Sequence, residues 1–192
     1  QTRGHFMESR YGSNLMTLAD WKHLVDNMAN IKMNQLVISV YGCWCVQYDG
    51  RVSEYLYVPI KKYPALKTPV VIRYFSPAAN RWIDREQLPP MFEQDFLGDL
   101  IAYGKIRGVT IFPLFNSFGH NTLIPAAYPA VSAKDEQGNP SLTGFCTAEE
   151  QTYELLFSIY DEIIDRYLAP HGIDSFHLGL DEVWDGIAHN AQ

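Results

Sequence analysis

The sequence lacks the features that mark a membrane-spanning, a nucleic-acid-binding or a disulfide-stabilised protein. It holds no apolar run of about eighteen residues, the length that a transmembrane helix needs, so no membrane insertion is expected. Its formal net charge is −7, and no basic cluster offsets that charge, so no nucleic-acid partner is expected. Its three cysteines form neither a disulfide framework nor a repeated zinc spacing. We therefore expect buried thiols at Cys43, Cys45 and Cys146.

The chain has enough apolar sequence for one globular core. It contains 192 residues, of which 47% are hydrophobic, and we expect one domain over residues 1–192. Apolar residues from Leu18 to Ile31 fall on one helical face, and Thr17 with Asp20 resembles a capping box, so a helix is predicted. The β-branched, apolar run from Gln35 to Tyr41 is typical of a strand in a buried parallel sheet.

The same helix-then-strand unit recurs twice further along the chain. Helices are predicted over Phe96 to Ile106 and from Thr147, with Glu150 three residues on, to Tyr167. Strands are predicted over Val109 to Phe115 and Ser175 to Leu180. With a first strand at His5 to Ser9, the order β-α-β-α-β-α-β predicts an α/β fold with a parallel sheet. A (β/α)₈ barrel and a doubly wound sheet both satisfy this order.

Two long connections, Gly42 to about Pro90 and Asn116 to Cys146, leave the C-terminal ends of predicted strands, where functional loops are common. A complete (β/α)₈ TIM barrel needs about 250 residues, and only eleven residues follow Asp181. We therefore expect the N-terminal half of a barrel, with about the first four β/α units. The remaining half would come from the parent chain or from a partner chain.

Two adjacent carboxylates, Asp181 and Glu182, stand at the end of the fourth predicted strand, where barrel enzymes keep catalytic groups. A glycosidase needs one group to protonate the leaving oxygen and another to stabilise the charge that develops on the sugar. An acidic pair is also common at the first turn of a helix, where it meets the positive end of the dipole. Spacing alone leaves both interpretations open.

Polar groups follow the other predicted strands as well. Arg10 follows the first strand, and Asn116 and His120 follow the third, so they point toward the same end of the sheet as the carboxylates. A surface ion pair for Arg10 and a hydrogen-bonded loop histidine for His120 are the structural alternatives. Trp184 lies next to the carboxylates, where its ring could stack on a sugar. These residues predict a site for one sugar.

With these residues in place, the chain resembles glycoside hydrolase family 20, the β-N-acetylhexosaminidases, over nearly its whole length. The segment His177 to Val183 reads His-Leu-Gly-Leu-Asp-Glu-Val and is similar to the family signature His-x-Gly-Gly-Asp-Glu-Val. Ser9-Arg10 is similar to the end of the family's first strand. Gly119-His120 and Ala127-Tyr-Pro129 are similar to the loop after its third strand.

The resemblance implies a (β/α)₈-barrel enzyme that removes terminal β-linked N-acetyl-hexosamine, GlcNAc or GalNAc, with retained configuration. By that resemblance Asp181 would orient the substrate's 2-acetamido group, whose carbonyl oxygen attacks the anomeric carbon. Glu182 would be the general acid and afterwards the base. The resemblance implies no metal or organic cofactor. The predicted substrate-binding residues are Arg10, Asn116, His120 and Trp184.

Departures from the family pattern keep other hypotheses open. Tyr41 to Cys45 stands where the family has acidic residues, Asn116 where it has an aspartate, and Leu180 where it has a second glycine. They favour, as an alternative, a catalytically silent or altered-specificity sugar-binding barrel. A third hypothesis is a metal hydrolase, whose ligands would be His120, His177, Asp181 and Glu182.

Overall fold

The computed structural model describes residues 1–10, 12–42, 45–47, 50–180 and 182, with the backbone alone at 45, 46 and 52. The described strands are β1 (Gly4–Met7), β2 (Gln35–Tyr41), β3 (Cys45–Val46), β4 (Val52–Ser53), β5 (Val70–Ser76), β6 (Arg81–Gln87), β7 (Thr110–Asn116), β8 (Ser132–Lys134), β9 (Pro140–Phe145) and β10 (His177–Gly179). The described helices are α1 (Leu18–Asn30), α2 (Pro90–Gln94), α3 (Leu97–Ile106), α4 (Leu123–Ala127) and α5 (Glu150–Ile163), and a π-helical turn, Ile164–Leu168, continues α5.

A four-stranded parallel sheet is the centre of the fold. β1, β2, β7 and β10 lie side by side in that order, and each neighbouring pair is parallel. Parallel neighbours need a crossover connection, and α1, α3 and α5 lie in the three connections. The predicted α/β order with a parallel sheet is confirmed, and all four carboxyl ends lie at one edge.

The predicted elements match the observed ones closely, with differences at helix ends. The capping box of α1 is present, because Thr17 and Asp20 each accept a hydrogen bond from the other's backbone. Ile31, predicted on the buried face, follows the helix and is exposed. α5 begins at Glu150, not at Thr147. The carbonyls of residues 146 and 147 instead accept hydrogen bonds from the side chains of residues 152 and 153.

The long connections contain hairpins of their own. The one after β2 holds the antiparallel pairs β3–β4 and β5–β6, and the one after β7 holds β8–β9. Short antiparallel pairs of this kind satisfy backbone groups locally. The described strands of each connection therefore pair within that connection and not with the parallel sheet.

The core lies between one face of the sheet and the helices. Leu36, Ile38 and Val40 alternate along β2 and are fully buried. Helical side chains that share this core include Trp21, Val25, Leu97, Leu100, Leu156, Ile159 and Ile163. Burying one such side chain stabilises the fold by roughly 1.5–3 kcal/mol. Cys146 is a buried free thiol, as predicted, whereas the side chains of Cys43 and Cys45 lie outside the described part of the chain.

The opposite face of the sheet is partly open. Phe6, Val37 and Phe112 pair in register across β1, β2 and β7 and form one row on this face. Phe6, at the β1 edge, is 46% exposed.

Among the described helices, none is long and apolar enough to cross a membrane.

A charged network ties the last helix to the connection after β2. Arg166 donates to Pro59 O at 2.6 Å and to Glu162 Oε1 at 2.7 Å, and it pairs with Asp95. Glu162 also accepts from Lys61 N at 2.6 Å and from Lys62 N. Burial acts to raise the pKa of Glu162, but these hydrogen bonds outweigh it and lower the pKa below its ordinary 4.5.

We predict that Arg166→Met lowers the free energy of unfolding by about 2–3 kcal/mol at neutral pH, because Glu162 and Asp95 lose the cation that pairs with both of them. The Glu162 contribution is present above pH 4.5 and is lost as the pH falls through the lower folded-state pKa. The difference between variant and wild type should therefore shrink in acid.

Urea unfolding at several pH values measures this difference. Arg107→Met is the matched control, because Arg107 pairs with Asp26 but is 40% exposed, and it should cost less than about 1 kcal/mol. Equal losses in the two variants would contradict the prediction.

Candidate active site

A cleft of about 410 Å³ opens at the carboxyl ends of the four parallel strands. This volume lies within the range of small-molecule sites, about 300–1,000 Å³, and the position is that of active sites in parallel α/β folds. Asp181 and Trp184, both predicted at the site, lie outside the described residues. The ionisable and amide side chains on its wall are Glu8, Arg10, Asn116, His120, His177 and Glu182.

Asn116 packs between two glycines at the end of β7. A Cβ atom on Gly179, its partner in β10, would lie 1.8 Å from Asn116 Oδ1, and one on Gly42 would lie 2.4 Å from Asn116 Cβ. The Asn116 amide donates to Gly42 O, and Ser117 N donates to Gly179 O at 2.7 Å. Close approach of three strands at the cleft therefore requires glycine on either side of Asn116.

His120 and Glu182 form the central contact of the cleft. His120 Nε2 lies 2.8 Å from Glu182 Oε2, and their side chains are 22% and 70% exposed, respectively. An imidazole N–H fits a carboxylate acceptor at this distance. The carboxyl group remains open to a bound molecule while the imidazole fixes one of its oxygens.

Both residues have a left-handed backbone, with φ of 57° at His120 and 49° at Glu182. Such a conformation costs non-glycine residues roughly 1–3 kcal/mol and persists where the surroundings fix it. Around His120, Asn121 Nδ2 donates to Gly119 O at 2.6 Å, and the Ser117 and Tyr160 hydroxyls bond to each other. The histidine is therefore held by its loop as well as by Glu182.

The residue after β1 that was predicted to bind sugar, Arg10, forms an ion pair with Glu8. This is the pairing expected of a surface arginine, yet both partners line the cleft. Ser13 Oγ lies 2.6 Å from Glu8 O and 3.1 Å from Arg10 O, and it bonds to the Tyr57 hydroxyl at 2.7 Å. Buried Ser13 thus orders the segment that carries both charges.

Sequence patterns missed two buried groups that contact the segment after His120, Glu54 and Tyr41. Glu54 accepts hydrogen bonds from Thr122 and Leu123, just beyond His120. Burial raises the pKa of the Glu54 carboxyl, although these hydrogen bonds act to lower it. No periodicity or motif marks Glu54, because its partners are 68 and 69 residues away.

The described part of the chain contains no cluster of ligands that would support the metal-hydrolase hypothesis. No group of three or more histidine, cysteine, aspartate or glutamate side chains there could hold a metal ion. His120 and Glu182 are in contact, but Asp181, one of the four predicted ligands, is outside the described ranges.

Comparisons with known proteins show which family the chain resembles. A family model described as "Glycosyl hydrolase family 20, catalytic domain" matches residues 8–191. The beta-hexosaminidase of Akkermansia muciniphila is 28% identical over 172 residues, which cover 85% of this chain and 31% of that protein. Beta-hexosaminidase subunit beta of Entamoeba histolytica is 30% identical over 107 residues, covering 52% and 18%. The chain spans less than a third of the length of these two relatives.

Solved structures share the fold. A crystal structure of a beta-N-acetylhexosaminidase superposes with a TM-score of 0.65 at 26% identity, covering 95% of this chain and 36% of that one. An exo beta-N-acetylglucosaminidase from Vibrio harveyi, crystallised with N-acetylglucosamine, gives 0.66 at 19% identity, covering 99% and 29%. The fold is α/β and belongs with these TIM-barrel proteins.

We predict that Gly179→Ala destabilises the protein by about 1–3 kcal/mol, because the added methyl group overlaps Asn116 and forces β10 away from β7. Thermal unfolding measures the loss. Gly98→Ala is the matched control. Gly98 lies inside α3, and the atom nearest to an added Cβ there would be His171 Nε2 at 3.5 Å, an ordinary van der Waals distance. It should be neutral or stabilising by up to about 1 kcal/mol. Wild-type stability in Gly179→Ala would contradict this packing.

Proposed function

This chain belongs to glycosyl hydrolase family 20, and we propose that it contributes the acid/base site of a glycosidase that removes terminal β-linked N-acetylhexosamine from glycans. The contact between His120 and Glu182, inside a cleft at the carboxyl ends of parallel strands, carries the proposal. The names of the hexosaminidase relatives support the choice of sugar. The polar cleft wall suits a ligand rich in hydroxyl groups.

We also propose that the chain supplies the first four β/α units of a (β/α)₈ barrel. Half of such a barrel requires four parallel strands with helices on one face. It also leaves side chains on the other face partly exposed, as Phe6 is in its row with Val37 and Phe112. Phe6 in that row would be covered once the strands closed. The remaining strands would come from the parent chain or from a partner chain, in keeping with the share of the relatives that this chain spans.

In the proposed reaction, the substrate provides its own nucleophile. The carbonyl oxygen of the 2-acetamido group attacks the anomeric carbon, the bond to the leaving oxygen breaks, and Glu182 gives its proton to that oxygen. Water then attacks the anomeric carbon, Glu182 takes a proton from the water, and the acetamido group is released. Two inversions at one carbon retain the β configuration.

The other cleft residues have supporting roles in this scheme. His120 holds one oxygen of Glu182 and so aims the other toward the sugar. Arg10 and Asn116 would bind hydroxyl groups of the sugar ring. By likeness to the family, Asp181 would orient the acetamido group and Trp184 would stack on the sugar. These steps require no metal or organic cofactor.

We predict that Glu182→Gln lowers turnover of a nitrophenyl N-acetyl-β-glucosaminide at least about 100-fold, because the amide cannot transfer the proton. Nitrophenol release by the longest protein that contains this chain measures the rate. Glu154→Gln, on the exposed side of α5, is the matched control and should keep wild-type activity. Undiminished activity in Glu182→Gln would refute its role as the acid.

We further predict that the 2-acetamido group is essential. A nitrophenyl β-glucoside, with a hydroxyl at that position, should be turned over at least about 100-fold more slowly, since the internal nucleophile is missing. Equal rates on both sugars would contradict substrate assistance. Binding of N-acetylglucosamine without turnover of any nitrophenyl sugar would favour the catalytically silent sugar-binding barrel. Asn116, which stands where the family has an aspartate, also favours that alternative.

A further inference from the structure

A buried carboxyl group lies behind the loop that carries His120. Glu54 follows β4 and is 4% exposed. Its Oε2 atom accepts hydrogen bonds from Thr122 N at 2.6 Å and Leu123 N at 2.8 Å, and a third from the Thr122 hydroxyl. Removing a carboxylate from water is costly unless donors replace the water. Three donors converge on this one oxygen and fix two consecutive residues.

Tyr41 anchors the same segment from the end of β2. It is fully buried, and its hydroxyl oxygen accepts a hydrogen bond from Ile124 N at 3.2 Å. The hydroxyl also faces Glu54, whose negative charge adds to burial in raising the pKa of Tyr41. Three consecutive backbone N–H groups, from Thr122 to Ile124, are thus held by two buried side chains.

The anchored segment is connected directly to His120. A step of two residues spans at most about 7 Å, so a shift of Thr122 is transmitted to His120. Between them, Asn121 is fully buried, and its carbonyl oxygen accepts from Gly144 N at 2.7 Å. The left-handed backbone of His120 leaves little freedom to absorb such a shift.

We propose that Glu54 is a positioning residue that sets the His120 imidazole opposite Glu182. The consequence for catalysis rests on the proposed function, whereas the placement of His120 does not depend on turnover. The acceptor oxygen is the property that matters. A glutamine at position 54 keeps that oxygen but presents an NH₂ group toward Tyr41, and an alanine removes every contact.

The first test compares Glu54→Ala with Glu54→Gln in the longest protein that contains this chain. With nitrophenyl N-acetyl-β-glucosaminide we expect Glu54→Ala to lower kcat about 30-fold or more and change KM less than about three-fold. Glu54→Gln should stay within about five-fold of wild type. A dinitrophenyl leaving group needs less protonation, so Glu54→Ala should lower kcat by a smaller factor on a dinitrophenyl substrate. A merely structural role would slow both substrates alike.

The second test follows His120 itself and needs no turnover. In protein labelled with ring-¹⁵N histidine, we expect Glu54→Ala to shift the imidazole resonances of His120, assigned with His120→Gln. The resonances of exposed His23 on α1 should stay unchanged. Glu54→Gln should keep the signals close to wild type. If Glu54→Ala does not fold, Thr122→Val removes one donor to Glu54 and gives the same comparison.

The outcomes separate this proposal from the proposed function. His120 resonances unchanged in Glu54→Ala, or in Thr122→Val where the alanine variant does not fold, would overturn the positioning role. Wild-type kcat in Glu54→Ala, in a protein that Glu182→Gln inactivates, would overturn it and leave the glycosidase intact. Shifted His120 resonances in a protein without turnover would support the positioning role and count against the proposed function alone.

Discussion

The packing of Asn116 between Gly42 and Gly179 is the constraint on which the cleft depends. It joins the ends of β2, β7 and β10. At positions 42 and 179 only glycine fits, because a Cβ atom at either would overlap Asn116. Parallel strands share one carboxyl edge, so this contact also fixes where the following loops begin. The loop with His120 and the segment with Glu182 start from neighbouring strands and meet at 2.8 Å.

The chemistry of the cleft follows from unequal exposure of its two central groups. The imidazole of His120 is mostly covered by its loop, while the carboxyl group of Glu182 faces the open cleft. A proton donor must reach the leaving oxygen yet keep one orientation. In the positioning role proposed for Glu54, support for that orientation extends from His120 through the Thr122 segment to this buried carboxyl group.

Local sequence patterns predicted the main helices and strands, but they did not predict contacts between residues far apart in the chain. Helix α1 and strand β2 were predictable because a capping box and an apolar run are local signals. The adjacent Asp181 and Glu182 were predicted as catalytic from strand position and a family motif, and of these two residues only Glu182 is described. Glu54 carries no local signal, since its role arises only when two long connections fold against each other. The hairpins in those connections were missed for a different reason: their strands lie in segments that were interpreted as loops, although β5 and β6 have seven residues each.

A crystal structure of the longest protein that contains this chain, with N-acetylglucosamine bound, tests the central claim most directly. The account predicts the sugar in the cleft beside Arg10 and Asn116, with its anomeric oxygen within about 2.6–3.2 Å of the Glu182 carboxyl group. It also predicts that His120 keeps its contact with the other carboxyl oxygen. A sugar bound elsewhere, or bound here with its anomeric carbon turned away from Glu182, would contradict the assignment of this cleft as the acid/base site.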